Sequence, residues 1–227
     1  PPPMLNPAER TEIEVPPETT PALLVVVDTE EEFDWNADFD PEATTVEAMR
    51  HIGRAQDVCE QAGVCPTYVV DYPVASQVAG FELLRGYVQD GNAIFGAHLH
   101  PWVNPPQSES VSRSNSFAGN LPRELEAEKL AILSDRLEES FGTRPEIYKA
   151  GRYGLGPNTA ETLEDQGFRV DPSACPAFDY ASENGPDYSG FSCLPFWFGS
   201  QRDMLGIPTT NGFVGLARRL GPTLQSI

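Results

Sequence analysis

Short apolar runs alternate with amphipathic segments along most of this chain, and this alternation restricts the fold more than any other feature. The segments between the runs carry apolar residues at helical spacing, as Leu130, Leu133 and Leu137 do. Strands that alternate with helices form parallel sheets with helical crossovers. About six such units fit, which favours a barrel over an open sheet. The predicted strands lie at 22–27, 67–70, 93–97, 146–148, 168–170 and 205–208, and the predicted helices at about 44–62, 74–88, 121–141 and 157–167.

The length of 227 residues predicts one domain with a sizeable core. Residues 1–21 are rich in Pro, Glu and Thr and show no periodicity, so we expect a flexible N-terminal arm there. Residues 22–227 then form the barrel domain. No apolar run reaches the length of about 18 residues that membrane insertion requires. We see no basic and apolar leader segment, which favours a cytoplasmic location.

The charge of the chain restricts its partners. The formal net charge is −19, from 34 acidic residues against 15 lysines and arginines. Such a surface repels the phosphate backbone of nucleic acids and anionic membrane surfaces. A neutral or cationic polymer is compatible with it.

Four unusual residues follow predicted strands: Asp28, His98, Lys149 and Asp171. In barrels of parallel strands the active site assembles at the carboxyl ends of the strands. The sequence therefore predicts that these four side chains lie at one face of the barrel.

The segment Asp28-Thr29-Glu30 places two carboxylates at positions i and i+2, which point the same way in an extended chain. A bound cation or a basic neighbour would offset their repulsion; the alternative is a solvated acidic loop. His98 and His100, two of the three histidines, show the same spacing after another strand. Neutral imidazole is a common zinc ligand, so the two segments together predict a metal site.

A third segment, 148–157, carries Lys149, Arg152 and a G-x-x-G-x-G pattern. This pattern differs from the dinucleotide fingerprint, and no acid follows at the spacing that a dinucleotide site needs. One interpretation is that a basic side chain of this segment holds an acidic catalytic residue in place. The other is that the two basic residues are a surface pair beside a tight turn.

The segments 27–35 (Val-Asp-Thr-Glu-Glu-Glu-Phe-Asp-Trp), 96–102 (Gly-Ala-His-Leu-His-Pro-Trp) and 150–159 (Ala-Gly-Arg-Tyr-Gly-Leu-Gly-Pro-Asn-Thr) resemble, in this order, the polysaccharide deacetylase family. This is the NodB-homology family, carbohydrate esterase family 4, and the likeness is strongest to its WalW-like branch. It covers about residues 22–215. The resemblance implies a distorted (β/α)7-type barrel that removes acetyl groups from sugar polymers with one divalent metal ion, expected to be Zn²⁺.

The resemblance also implies roles for individual residues. Asp28 matches the catalytic base and is also a candidate ligand. Glu30, His98 and His100 match the metal ligands. Lys149 lies where the family has an arginine, Arg152 is a second candidate for that task, and Asp171 matches an acid that contacts this arginine. Trp102 and Tyr153 are expected to contact the substrate.

Three departures from the family pattern stand out. The histidines are two residues apart rather than four, and the second metal-binding acid is Glu30 rather than an aspartate. The late histidine that serves as general acid has no counterpart, because no histidine follows His100. The chain ends at Ile227, so we expect a barrel that is either incomplete at the C-terminus or continued beyond it.

The predicted function is therefore a metal-dependent hydrolase that deacetylates a polysaccharide or oligosaccharide. One alternative is a non-catalytic carbohydrate-binding relative that has lost the general acid. Another is a metal-free glycosidase that pairs Asp28 with Glu30 or Asp171. In each case aromatic side chains could stack on sugars, although at least half of them are expected to pack in the core. These aromatic residues are Trp102, Phe178, Tyr180, Phe196 and Trp197.

Overall fold

A computed structural model describes residues 10–212 of the chain. The strands of this part are β1 Thr11–Glu12, β2 Val26–Thr29, β3 Thr67–Val70, β4 Ile94–Leu99, β5 Tyr148–Ala150, β6 Val170–Asp171, β7 Phe196–Phe198 and β8 Met204–Gly206. The α-helices are α1 Gly53–Gln61, α2 Tyr72–Ser76, α3 Val78–Gln89, α4 Arg123–Phe141 and α5 Thr159–Asp165. Short 3-10 segments lie at Glu47–His51, Ala118–Asn120, Gly151–Tyr153 and Ala181–Glu183.

The strands form two four-stranded sheets that meet edge to edge. Strands β2, β3, β4 and β5 pair in parallel in that order. The second sheet has the order β1-β7-β8-β6, and a parallel bridge between Ile147 and Val170 joins it to the end of the first. The predicted α/β class with a curled, barrel-like parallel sheet is confirmed. The antiparallel pairs β1–β7 and β7–β8 differ from the expected all-parallel arrangement. A short connection joins β7 directly to β8, so these two strands run in opposite directions.

Two differences concern the N-terminal part. Thr11 and Glu12 lie within the predicted arm but pair with β7. The predicted strand at 22–27 begins only at Val26, and Leu23 and Leu24 are 73% and 63% exposed. Among the described residues β2 pairs only with β3 and therefore lies at the edge of its sheet. An edge strand has a neighbouring strand on one side only, so less of its surface is covered than in a central strand.

The helices cover the outer face of the first sheet and form the core with it. The predicted apolar face of α4 is confirmed, since Leu130, Leu133, Leu137 and Phe141 are all buried. Phe141 stacks on Phe95 of β4 with ring centroids 4.4 Å apart. Gly142 ends the helix in the left-handed conformation, at φ 89°.

Two helix boundaries were wrong. The predicted helix 74–88 is divided at Gln77, whose backbone is extended. The predicted helix at about 44–62 begins later, with a 3-10 segment at Glu47–His51 whose N-cap residue Val46 offers no side-chain cap. Instead, Glu32 accepts hydrogen bonds from the Thr45 hydroxyl at 2.7 Å and from the Ala48 amide at 2.8 Å. A carboxylate from the acidic segment therefore caps the helical turn.

The polar loop that follows His100 is held against α4 by a buried lysine. The Lys129 ammonium donates to the carbonyls of Pro101, Asn104 and Pro106 at 2.9, 2.7 and 2.6 Å. It also pairs with Glu109 at 3.0 Å. Burial lowers the pKa of Lys129, and the contact with Glu109 opposes this. These four acceptors satisfy the buried charge of Lys129. The same contacts hold the start of the loop in place.

A buried carboxyl on α4 predicts a pH-dependent stability. Burial raises the pKa of Glu126 to about 7, and its Oε1 accepts a hydrogen bond from the Thr159 hydroxyl. Because the folded state holds this proton more tightly than the unfolded chain, the free energy of unfolding should fall as the pH rises from about 4.5 to about 7. We expect Glu126→Gln to be more stable than the wild type by about 2–3 kcal/mol at pH 8, as measured by urea unfolding.

The exposed Glu124, on the same helix, provides the control. Glu124→Gln should change the free energy of unfolding by less than about 1 kcal/mol and leave its pH dependence intact. An unchanged pH dependence in Glu126→Gln would show that another group titrates.

Candidate active site

The carboxyl ends of the parallel strands bring the predicted side chains together. His98 on β4 lies opposite Lys149 on β5 in the sheet register, whereas Asp28 lies on β2. Three strand spacings separate β2 from β5, about 14 Å in a flat sheet. The Lys149 ammonium nevertheless lies 2.6 and 2.5 Å from the two Asp28 oxygens. The curl of the sheet and the length of the lysine side chain close this distance.

A carboxylate and two imidazoles converge beside this ion pair. Glu30 Oε2 lies 3.2 Å from His98 Nε2 and 3.3 Å from His100 Nε2. Both histidines are buried, and Glu30 is partly exposed at the mouth. One ligand atom from each residue lies within 4.8 Å of the others, a grouping that could hold a metal ion.

The hydrogen bonds of the two histidines define their tautomers. His98 Nδ1 lies 2.9 Å from the carbonyl oxygen of Lys149, which can only accept, so Nδ1 carries a proton. His100 Nδ1 lies 2.8 Å from a Glu31 carboxylate oxygen and is likewise the donor. When the rings are neutral, both Nε2 atoms therefore present lone pairs toward Glu30.

This donor set fits a divalent metal ion. When both rings are neutral, three acceptor atoms face one another, and a bound cation would offset their repulsion. Ligand atoms of a tetrahedral zinc ion lie about 3.3 Å apart, given bond lengths of about 2.0–2.1 Å. The observed separations of 3.2 and 3.3 Å match this spacing. His100 Nε2 is also a buried atom without a hydrogen-bond partner, as expected of a ligand atom.

The ionisation of these groups reflects the same arrangement. Burial by itself raises the pKa of Glu30, but the contacts with His100 and His98 outweigh it and hold the pKa well below its usual range. Burial lowers the pKa of His100, whereas Glu31 and Glu30 raise it to a net value of about 10. The pocket thus stabilises positive charge between Glu30 and the imidazoles.

Asp171 lies beneath the site rather than in it. It is 2% exposed, and its Oδ1 accepts a hydrogen bond from the Ser173 amide at 2.7 Å. Burial raises the pKa of Asp171 to about 6, and the Ser173 hydrogen bonds and the charge of Lys149 oppose this.

Arg152 lies at the rim of the pocket but does not contact Asp28. Its guanidinium donates to the Ser116 hydroxyl at 2.6 Å and pairs with Glu183. It also lies over the Phe117 ring, 4.0 Å from the centroid. Of the two basic candidates, Lys149 is the one that forms an ion pair with Asp28.

The two predicted substrate contacts differ in position. Tyr153 lines the pocket, and the Lys149 ammonium lies 4.9 Å from its ring centroid. Trp102 is 2% exposed, and its indole N–H donates to Glu31, so no ring face is open to a sugar. Trp35, which the sequence analysis overlooked, lines the pocket and is 52% exposed.

The other aromatic candidates lie outside the pocket lining. Phe196 is buried in the core, and Phe178 and Tyr180 pack against the core. Trp197 is exposed on β7. The expectation that at least half of the aromatic residues serve packing is confirmed.

The comparisons with known proteins concern the fold. No protein-family model and no curated protein matches the chain. Among solved structures, it is similar to a protein described as a polysaccharide deacetylase from Mycobacterium smegmatis, with a TM-score of 0.58 and 18% identity over 91% of this chain and 64% of that one. The fold is shared. The allantoinase Puue has a TM-score of 0.51 and 17% identity over 83% of this chain and 61% of that one.

A 4-alpha-glucanotransferase from Thermococcus litoralis also matches, with a TM-score of 0.51 and 11% identity over 83% of this chain and 27% of that one. The chain thus spans less than two thirds of the length of each of these proteins. These three proteins are named for different activities, although each is similar to this chain in fold. The fold therefore does not identify the reaction, which has to be inferred from the site.

Proposed function

We propose that the chain is a metal-dependent carbohydrate deacetylase, as the resemblance to the WalW-like branch of the family implies. One observation carries the proposal: Glu30, His98 and His100 converge beside an aspartate that a lysine holds in place. The likeness of the fold to a polysaccharide deacetylase supports it.

Each residue of the site has a separate role in the proposed reaction. Glu30, His98 and His100 would hold a divalent metal ion, for which we propose Zn²⁺. When bound, such an ion lowers the pKa of a water molecule and polarises the acetyl carbonyl. Asp28 would accept the proton of the attacking water, and the Lys149 ammonium holds the Asp28 carboxylate in place at the pocket.

The pocket has a volume of about 120 Å³. Its lining includes the side chains of Trp35 and Tyr153. We propose that the acetyl group enters the pocket and that the sugar lies beside these two aromatic residues. We propose these two residues, rather than the buried Trp102, as the stacking surface.

A glycosidase is not favoured by this geometry. The ammonium of Lys149 pairs with Asp28, and Asp171 is buried. Neither arrangement leaves a free pair of carboxylates.

No helix in the described part of the chain has the length and apolar character to cross a membrane. An acetylated sugar polymer or oligomer as substrate and a cytoplasmic location stay predictions, as does the absence of nucleic-acid binding.

Two measurements on the purified chain test the proposal. We expect about one equivalent of zinc per chain by elemental analysis, because three ligands converge at one point. We also expect metal-dependent release of acetate from acetylated oligosaccharides, lost on chelation and restored by Zn²⁺.

The alternatives give different results. A carbohydrate-binding relative would bind metal and sugar without releasing acetate. A glycosidase would release reducing ends and hold no stoichiometric metal. Either result would contradict the deacetylase proposal.

A further inference from the structure

A second group of metal-binding side chains lies directly behind the first and shares His100 with it. Ligand atoms of Glu31, Asp71 and His100 lie within 4.8 Å of one another, and all three residues are buried. Of these three residues, only His100 was predicted from the sequence to lie in the site. The hydrogen bonds of the two groups show which one is built for an ion.

Each carboxylate oxygen of Glu31 and Asp71 has an N–H donor. One Glu31 oxygen lies 2.8 Å from His100 Nδ1, and the other accepts the Trp102 indole N–H at 2.9 Å. Asp71 accepts the Glu31 amide and the Val74 amide, each at 2.8 Å. Acceptors that are all matched to N–H groups need no cation. His100 Nε2, on the opposite side of the ring, has no such partner.

We infer that Glu31 is the positioning residue that directs His100 Nε2 toward Glu30 and His98. This inference rests on the proposed metal site. His98 lies within β4 and its ring is fixed by the Lys149 carbonyl, but His100 lies just beyond the end of that strand. Its ring orientation therefore depends on side-chain contacts.

Packing alone cannot orient this ring. Trp102 stacks on it with centroids 4.3 Å apart, and a Cβ atom at Gly151 would lie 2.4 Å from its Cδ2. Apolar contacts of this kind hold the plane of the ring but do not distinguish its nitrogen atoms from its carbon atoms. A half-turn about the Cβ–Cγ bond would exchange Nδ1 with Cδ2 and Nε2 with Cε1, so that a carbon atom instead of Nε2 would face Glu30. The Glu31 carboxylate favours one of the two orientations, because it accepts a hydrogen bond from Nδ1–H.

Asp71 completes the arrangement from the neighbouring strand. It follows β3, caps α2 through the Val74 amide and accepts the Glu31 amide. The backbone at Glu31 is thereby fixed relative to β3, and its carboxylate reaches His100 from the correct side. This network supplies a physical reason why two histidines only two residues apart can serve as ligands in this chain.

The test is zinc affinity in the full chain, measured by competition with a chromophoric chelator. We expect Glu31→Gln to weaken zinc binding about 10–100-fold, the usual effect of losing a partner that orients a ligand. Glu32→Gln is the matched control, because Glu32 is adjacent in sequence but its carboxylate accepts hydrogen bonds from the Thr45 hydroxyl and the Ala48 amide rather than from a histidine. Its zinc affinity should stay within about threefold of the wild type.

Thermal unfolding of the metal-free variants separates positioning from stability. Lower stability of Glu31→Gln with unchanged zinc affinity would overturn the inference. If this variant does not fold, Glu31→Asp, which keeps the charge but shortens the side chain, should show weaker zinc binding in the same direction. A wild-type chain that binds no zinc would overturn both proposals. Zinc binding that depends on Glu31, without acetate release, would support the inference and contradict only the proposed reaction.

Discussion

Replacement of His98 by alanine should abolish stoichiometric metal binding and reduce deacetylation at least about 10³-fold. Of the three proposed ligands, this buried imidazole is the one whose orientation the β4–β5 ladder sets most directly, through the Lys149 carbonyl. Without it, Glu30 and His100 remain as two ligands, which is fewer than the three protein ligands of catalytic zinc sites. Elemental analysis after dialysis and acetate release measure the two effects.

His51 provides the matched control for this variant. It is exposed in the segment Glu47–His51, and its imidazole contacts Arg50. His51→Ala should keep the metal content and the activity of the wild type. Retention of one metal equivalent in His98→Ala would show that the metal site has been assigned to the wrong residues.

Replacement of Asp28 by asparagine should lower kcat about 10²–10⁴-fold while the metal stays bound. The asparagine amide keeps the shape of the side chain but cannot accept a proton, and the ligand cluster does not include Asp28. Acetate release at saturating substrate, with metal content measured on the same sample, separates the two roles that the sequence left open for Asp28.

The outcomes distinguish a base from a ligand. Loss of metal in Asp28→Asn would make Asp28 a ligand, and normal kcat with bound metal would assign the base to another group. Asp38→Asn is the control, since Asp38 is an exposed acid in the loop that follows the same segment. It should leave kcat and metal content unchanged.

Much of the scaffold could be predicted from periodicity. The buried face of α4 and the positions of the central strands follow from apolar spacing, because burial is the dominant contribution to folding. The division at Gln77 could not be predicted in this way. It depends on close packing of two helices, since a Cβ atom at Gly80 would lie 2.4 Å from the Val74 carbonyl oxygen.

Part of the site could also be predicted. Strand-end position and the spacing i, i+2 indicate that Asp28, Glu30, His98 and His100 face the mouth of the barrel. The partner of Asp28 could not be chosen from the sequence, because Lys149 and Arg152 are both basic residues in the same glycine-containing segment. The curl of the four-stranded sheet brings Lys149 on β5 to Asp28 on β2. The backbone at Arg152 is left-handed, and its guanidinium contacts Ser116 and Glu183 instead.

The run Glu30-Glu31-Glu32 shows the division between sequence and structure most clearly. By itself the sequence determined that three acidic residues follow the carboxyl end of a strand. Only the tertiary structure decided that Glu30 faces His98, that Glu31 is buried against His100, and that Glu32 caps the next helical turn. The physical reason is that the three side chains are chemically identical. Their roles depend on which donors other segments, distant in sequence, bring within hydrogen-bond distance.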